Sequence, residues 1–169
     1  MSRLTVDDAR STGNAHGMNK AFVREPEPTD ALRCPRCGTL GKLVPAITLD
    51  TQLRAEARQK LGSTGYYCSF PTCEVVYFDA FDRFAELADC ERVPYPKDPH
   101  APICGCHGFS TEAIEADLAV GSVERTRAAV AQAKANQSEC PARSPWGESC
   151  IGEIQRYYMR RQAELKRGR

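Results

Sequence analysis

The chain has 169 residues, enough for one medium domain or two small ones, and its hydrophobic fraction of 41% is ordinary. A net charge of +1 gives no overall signal for nucleic acid or an anionic membrane, and no segment approaches the ~20 apolar residues of a membrane-spanning helix. Aromatics make up only 8% and the apolar residues lie in short patches, so the cores are expected to be small and to need a staple.

Nine cysteines can supply that staple. The first residues, Met1 to Asp8, lack the apolar core of a signal peptide, so the expected compartment is the cytoplasm. Thiols stay reduced there, and cysteine clusters bind metal more often than they form disulfides.

Residues 1–30 are polar, show no apolar periodicity and read as a flexible arm. Ordered structure is expected from about Leu32. Lys42 to Thr48 suits a strand, and Asp50 or Thr51 can cap a short helix carrying Leu53, Ala57 and Leu61, stopped by Gly62. Tyr66-Tyr67 and Glu74 to Phe78 are β-branched and aromatic, and read as two strands of a hairpin. Residues 93–102 hold four prolines and read as an extended linker. Beyond it the chain reads as helical. Ser110 or Thr111 caps a helix with Ile114 and Leu118 on its buried stripe, ended by Gly121. Ser122 caps a second helix to about Ala135. A third starts near Cys150 or Ile151, buries Ile151, Ile154 and Tyr158, and frays into a basic tail. From Arg156 to Arg169 there are six basic residues and one acidic; a solvated helix end is the plainer reading of that charge, a docking element the sharper one.

The fold class expected is α+β: a small zinc-ribbon β domain with one helix at 31–92, then a small all-α 2Fe–2S domain at 103–159, joined by the 93–102 linker and followed by a basic tail at 160–169.

The linker sorts eight cysteines into two groups of four. Cys34-Pro35-Arg36-Cys37-Gly38 has the two-residue spacing that lets both sulfurs reach one zinc ion, and Gly38 can take the positive φ the turn needs. Cys68 and Cys73, with four residues between them, offer the second pair at the expected hairpin end. Four thiolates favour a closed structural site over a catalytic one with an open position. Replacement of one sulfur by Glu74 or Asp79 stays open, as does the reading of four ordinary buried cysteines. In the second group, Cys104-Gly105-Cys106 is awkward for a zinc knuckle but suits a binuclear cluster, and Cys140 and Cys150 complete four soft ligands for a 2Fe–2S site. Cys90 belongs to neither group; a lone thiol is the plain reading, a copper(I) or redox role the alternative. His107, next to a cluster cysteine, suits a surface or supporting role, and Trp146 one of packing against the cluster.

Cys104-x-Cys106-His107-Gly108-Phe109-Ser110, then Cys140 and Ser144-Pro145-Trp146-Gly147-x-x-Cys150, resembles the domain of bacterioferritin-associated ferredoxins. The nine-residue gap before Cys150 is similar to the CopZ-type iron–sulfur metallochaperones, and Cys68-x-x-Pro71-x-Cys73-x-Val75-Val76-Tyr77-Phe78 resembles the zinc-ribbon signature of that family. The resemblance covers about residues 32 to 158. It implies a zinc ribbon beside a helical 2Fe–2S domain and, in fuller members, a copper-binding domain loaded after reduction of copper(II) to copper(I). No Met-x-Cys-x-x-Cys copper loop occurs in this chain, so the resemblance is to a form lacking the C-terminal copper-binding domain.

The function expected is metal handling, as a metallochaperone, or one-electron transfer, without enzyme activity of its own. The cofactors are zinc and a 2Fe–2S cluster, with copper a further candidate. The expected partner is a copper carrier, a metal transporter or a redox protein. A zinc/iron–sulfur regulatory adaptor contacting nucleic acid or a protein is the alternative, disfavoured by the near-neutral charge; a structural module with two zincs is a third reading.

Overall fold

The computed structural model describes residues 31–168; the arm expected at 1–30 and Arg169 lie outside the described residues. Four short strands form an antiparallel meander in the order β1 (Lys42–Val44), β2 (Gly65–Tyr67), β3 (Val75–Phe78) and β4 (Phe84–Glu86). The hairpin expected from the aromatic segments is β2–β3, with Tyr67 opposite Tyr77. Every residue of β2 and β3 is buried, so both faces are covered.

The first half holds more helix than the single one expected. Pro45 ends β1 at Val44, earlier than the expected Thr48, because its fixed φ and missing N–H cannot continue the ladder. Helix α1 (Ala46–Gln52) then begins at once, and α2 (Ala55–Arg58) follows. Leu53, Ala57 and Leu61 are all buried, but not along one helix. Leu53 is extended (φ −105°, ψ 145°), bridges Cys90, and leaves the Arg54 N–H to donate to the Asp89 carbonyl at 3.0 Å. Tertiary pairing overrides a helical spacing here.

The second half is helical: α3 (Thr111–Ala119), α4 (Glu124–Ala135), a four-residue turn α5 (Cys140–Arg143) and α6 (Ile151–Arg167). Ile114 and Ile154 are fully buried where α3 meets α6, each contributing about 1.5–3 kcal/mol of apolar burial. Asp117, also buried, accepts from the Thr126 N–H at 2.8 Å and the Thr126 hydroxyl at 2.9 Å. A carboxylate on α3 thus satisfies the first turn of α4 from outside, while Ser122 adds a weaker contact to the Glu124 N–H at 3.2 Å. The basic tail expected to fray stays helical to Arg167. Several of its charges are taken up in pairs: Arg156 with Glu153, and Arg161 with Glu115 and Glu164.

The two halves share one core. Val44, Leu49, Tyr67 and Tyr77 from the first pack in a continuous buried cluster with Ile103, Ile114, Trp146 and Ile154 from the second. Polar contacts pin the junction: the Tyr77 hydroxyl donates to Pro145 O at 2.7 Å, and Thr48 and Thr51 donate from α1 to Pro141 O and Ala142 O, each at 2.5 Å. Residues 93–102, expected as an extended linker, instead turn and pack. Lys97 N and Asp98 N both donate to Pro94 O, the Tyr67 hydroxyl donates to Tyr95 O at 2.7 Å, and the Thr111 hydroxyl donates to Pro99 O at 3.2 Å. The prolines remove donors, and backbone N–H groups on Pro94 O together with side chains on Tyr95 O and Pro99 O satisfy carbonyls of the segment. Among the described residues no helix is long and apolar enough to cross a membrane.

Candidate metal centres

The first site forms where two loops meet at one end of the sheet. Cys34 and Cys37 lie in a tight turn closed by Gly38 N to Cys34 O (2.9 Å) and Cys34 N to Thr39 O (2.8 Å); Gly38 holds φ +73°. A side chain at that φ is strained, so the Gly38 expected from sequence is what lets the turn close. Cys68 and Cys73 flank the β2–β3 loop. Cys34 Sγ lies 3.9 Å from Cys73 Sγ, and Cys37 Sγ lies 3.5 Å from Cys68 Sγ, with all four sulfurs within 4.8 Å of one another. Tetrahedral zinc with ~2.3 Å bonds to sulfur needs sulfurs about 3.8 Å apart, so the donor set fits one such ion. Three of the four cysteines are buried, against Tyr66, Val75 and Phe78.

Neither carboxylate considered as a substitute ligand joins them. Asp79 accepts from the Gly62, Phe81 and Arg83 N–H groups and from the Arg83 guanidinium, while Glu74 pairs with Arg36 at 3.2 Å. Burial opposes ionisation of Cys37, but Thr39 and the thiols of Cys68 and Cys34 outweigh it and draw its pKa down to about 6. Cys68 is pushed up by burial, with the Phe70 backbone and the Lys97 ammonium pulling the other way. One thiolate is thus ready for a cation, and filling the site releases protons from the rest. Lys97 reaches this loop from residues 93–102, and nothing in its sequence context announces it. Its ammonium donates to Phe70 O at 3.0 Å and Cys73 O at 2.8 Å.

The second quartet draws on the loop before α3 and on the starts of α5 and α6. Cys104 opens a tight loop, its N–H donating to Phe109 O at 3.1 Å; Cys140 is the first residue of α5, and Cys150 precedes α6. Gly105 explains how the segments approach: a Cβ there would lie 2.5 Å from Arg143 O. All four thiols act on one another, most directly Cys104 with Cys150 and Cys106 with Cys140, and they do not meet the compactness that marks the first four. Contact with Cys150 draws Cys104 down to about 6 against burial, helped by the His107 and Cys106 N–H groups. The same contact raises Cys150, and burial with the charges of Cys104 and Cys140 pushes Cys106 up to about 11. Two buried donors in the Cys140–Cys150 loop, Ser144 Oγ and Trp146 Nε1, have no partner among the described residues.

Cys90, His107 and Trp146 stand outside both sets of four sulfurs. Cys90 is buried beside Leu53, 3.6 Å from Glu86 O, and burial pushes it up to about 12, the behaviour of a lone core thiol. His107 meets Asn136 at 3.3 Å, and His100 pairs with Glu112 at 3.0 Å. Trp146 packs on Tyr67 with ring centroids 6.3 Å apart.

Sheet, loops and sulfur geometry define a four-cysteine site that fits one zinc ion. Residues 31–90 match the zf_CopZ family, described as a zinc binding domain. The chain is 27% identical over 128 residues to the copper chaperone CopZ of Archaeoglobus fulgidus, covering 74% of this chain and 61% of that protein, so it spans about three fifths of that relative's length. It also superposes on the crystal structure of the A. fulgidus CopZ N-terminal domain with a TM-score of 0.59 at 23% identity, covering 74% of this chain and 96% of that domain. Residues 31–90 are thus similar to a zinc-binding domain of CopZ type, and Cys34, Cys37, Cys68 and Cys73 within them form a four-cysteine site that fits zinc.

Proposed function

We propose that the chain carries a structural zinc ion on Cys34, Cys37, Cys68 and Cys73 and a redox-active 2Fe–2S cluster on Cys104, Cys106, Cys140 and Cys150. It would act in the cytoplasm in copper handling, as a metallochaperone or as the one-electron donor to a copper carrier, metal transporter or redox protein, with no enzyme activity of its own. The observation that carries the reading is the difference between the quartets: one compact enough for a single ion, the other more open, its four soft donors coupled most directly two by two. Two pairs suit two metal atoms better than one.

The surroundings of the second quartet support the same reading. Backbone N–H groups of His107 and Cys106 point at Cys104, and that of Cys150 at Cys140. Unpartnered Ser144 Oγ and Trp146 Nε1 add donors suited to anionic sulfur. When bound, the cluster supplies a one-electron couple. Cys104, Cys106, Cys140 and Cys150 would hold it, buried Trp146 and Ile103 would help keep water out, and those donors would tune its potential. Relatedness to a protein named a copper chaperone supports copper as the cargo or the electron's destination.

Metal analysis of anaerobically purified protein tests the reading. The expected result is about one zinc and two irons per chain, with absorption at roughly 400 to 600 nm that bleaches with dithionite. Cys104→Ser or Cys140→Ser should abolish the colour and spare the zinc. A colourless protein with two zincs would overturn the cluster in favour of a structural module. Titration with copper(I) while the cluster spectrum is monitored then separates the roles: tight binding that leaves the spectrum intact supports carriage, and no binding supports electron transfer alone.

A further inference from the structure

The zinc half does not end with the segment that matches the zinc-binding family, which stops at residue 90. Residues 93–102 return across the Cys68–Cys73 loop. The turn at Pro94 and the Tyr67 hydroxyl on Tyr95 O fix their path, and the Tyr95 ring packs edge-on against Tyr157 of α6. That path delivers the half-buried Lys97 to the loop, where its ammonium bridges Phe70 O (3.0 Å) and Cys73 O (2.8 Å). Phe70 O also accepts the Cys73 N–H at 3.2 Å, so the lysine closes the turn that presents Cys73. Both partners are neutral carbonyls, so the positive charge remains available to its surroundings.

Four thiolates around one divalent ion leave a net negative charge on the centre. A fixed ammonium against the loop that carries two of them favours the metal-bound state on simple Coulomb grounds, more strongly in a partly buried site than in water. We propose that Lys97 is a positioning residue of the four-cysteine centre, which clamps the Cys68–Cys73 loop in its ligating shape and offsets the negative charge of the thiolates. The zinc centre is therefore completed from the segment that leads into Cys104, not from the ribbon alone. The inference rests on the reading of the first quartet as a zinc site.

The test uses the full 169-residue chain loaded with zinc, comparing wild type with Lys97→Met, Lys97→Gln and Lys97→Arg. Zinc release to an excess of a chromogenic chelator should be about tenfold faster in Lys97→Met, a difference of about 1.4 kcal/mol. Lys97→Gln, which keeps a donor without charge, should fall between, and Lys97→Arg should restore slow release. In the cobalt(II)-substituted protein, the sulfur-to-cobalt charge-transfer band should move to lower energy in Lys97→Met and return in Lys97→Arg; a packing role alone would leave it in place. Equal release rates and an unmoved band across the series would overturn the proposal, as would Lys97→Arg behaving like Lys97→Met. Wild-type protein free of zinc would instead overturn the zinc reading itself, so the two failures are distinct.

Discussion

In the first half four sulfurs gather at the tips of two loops on a sheet, all within 4.8 Å of one another; in the second, two cysteines of a loop face two at helix starts, coupled most directly as Cys104 with Cys150 and Cys106 with Cys140. The first site is built mainly by local structure: a positive-φ glycine closes one turn and a hairpin closes the other. The second is built by long-range approach, since Cys104–Cys106 and Cys140–Cys150 meet only because Gly105 lets the backbone of Arg143 come close. Sites of the first kind are read from spacing; sites of the second depend on packing that spacing does not encode.

Removing one ligand from the first quartet draws the contrast most sharply. Cys34→Ser should release zinc and destabilise the fold by about 3 kcal/mol or more, because metal binding there is folding energy; for a chain of this size that lowers Tm by about 6–12 °C. Calorimetry and metal analysis check it, and loss of iron together with zinc would break the picture of two separate centres.

Gly105→Ala comes next. It touches no sulfur, yet its Cβ would collide with Arg143 O, so iron incorporation should fall severely while zinc stays near one per chain. Full iron content in this variant would show that the second quartet does not need the close approach.

A smaller effect is expected at Asp117. Asp117→Ala removes the outside cap of α4 and should lower stability by about 1–2 kcal/mol in urea unfolding, with zinc content unchanged. Burial alone would raise this carboxyl, but the Thr126 N–H and hydroxyl outweigh it and hold its pKa below the usual carboxylate value. A depressed pKa contributes stability that is present above the unfolded value of about 3.9 and lost as pH falls through the lower folded value. Asp117→Asn should therefore flatten the acid limb of the stability profile. Smallest of all, Glu115→Gln should change stability by less than about 1 kcal/mol, since its pair with Arg161 is partly solvated.

Much of this architecture is legible in the residues. The aromatic and β-branched runs mark β2 and β3, and the start of α3, the end of α4 and the start of α6 lie within a residue or two of their capping signals. The cysteine spacing identifies the four sulfurs that the fold gathers at the first site. What escapes has a physical cause. Phe84–Glu86 is too short to show alternation and becomes β4 only by pairing with β3. Leu53 and Ala57 carry a helical spacing across a break imposed by the bridge to Cys90. Lys97 lies among prolines, where sequence suggests only a spacer, and its role exists only because the chain doubles back.

The shared core has a consequence for how the molecule would come apart. Tyr77 on Pro145 O, the α1 threonines on Pro141 O and Ala142 O, and the apolar cluster running through both halves do not depend on chain continuity at 93–102. A protease nick in that stretch would leave two fragments held to each other, travelling as one particle through a sizing column until denaturant separates them. Exchange of one half for that of a relative would need a matching seam, so the two halves are built to be inherited together.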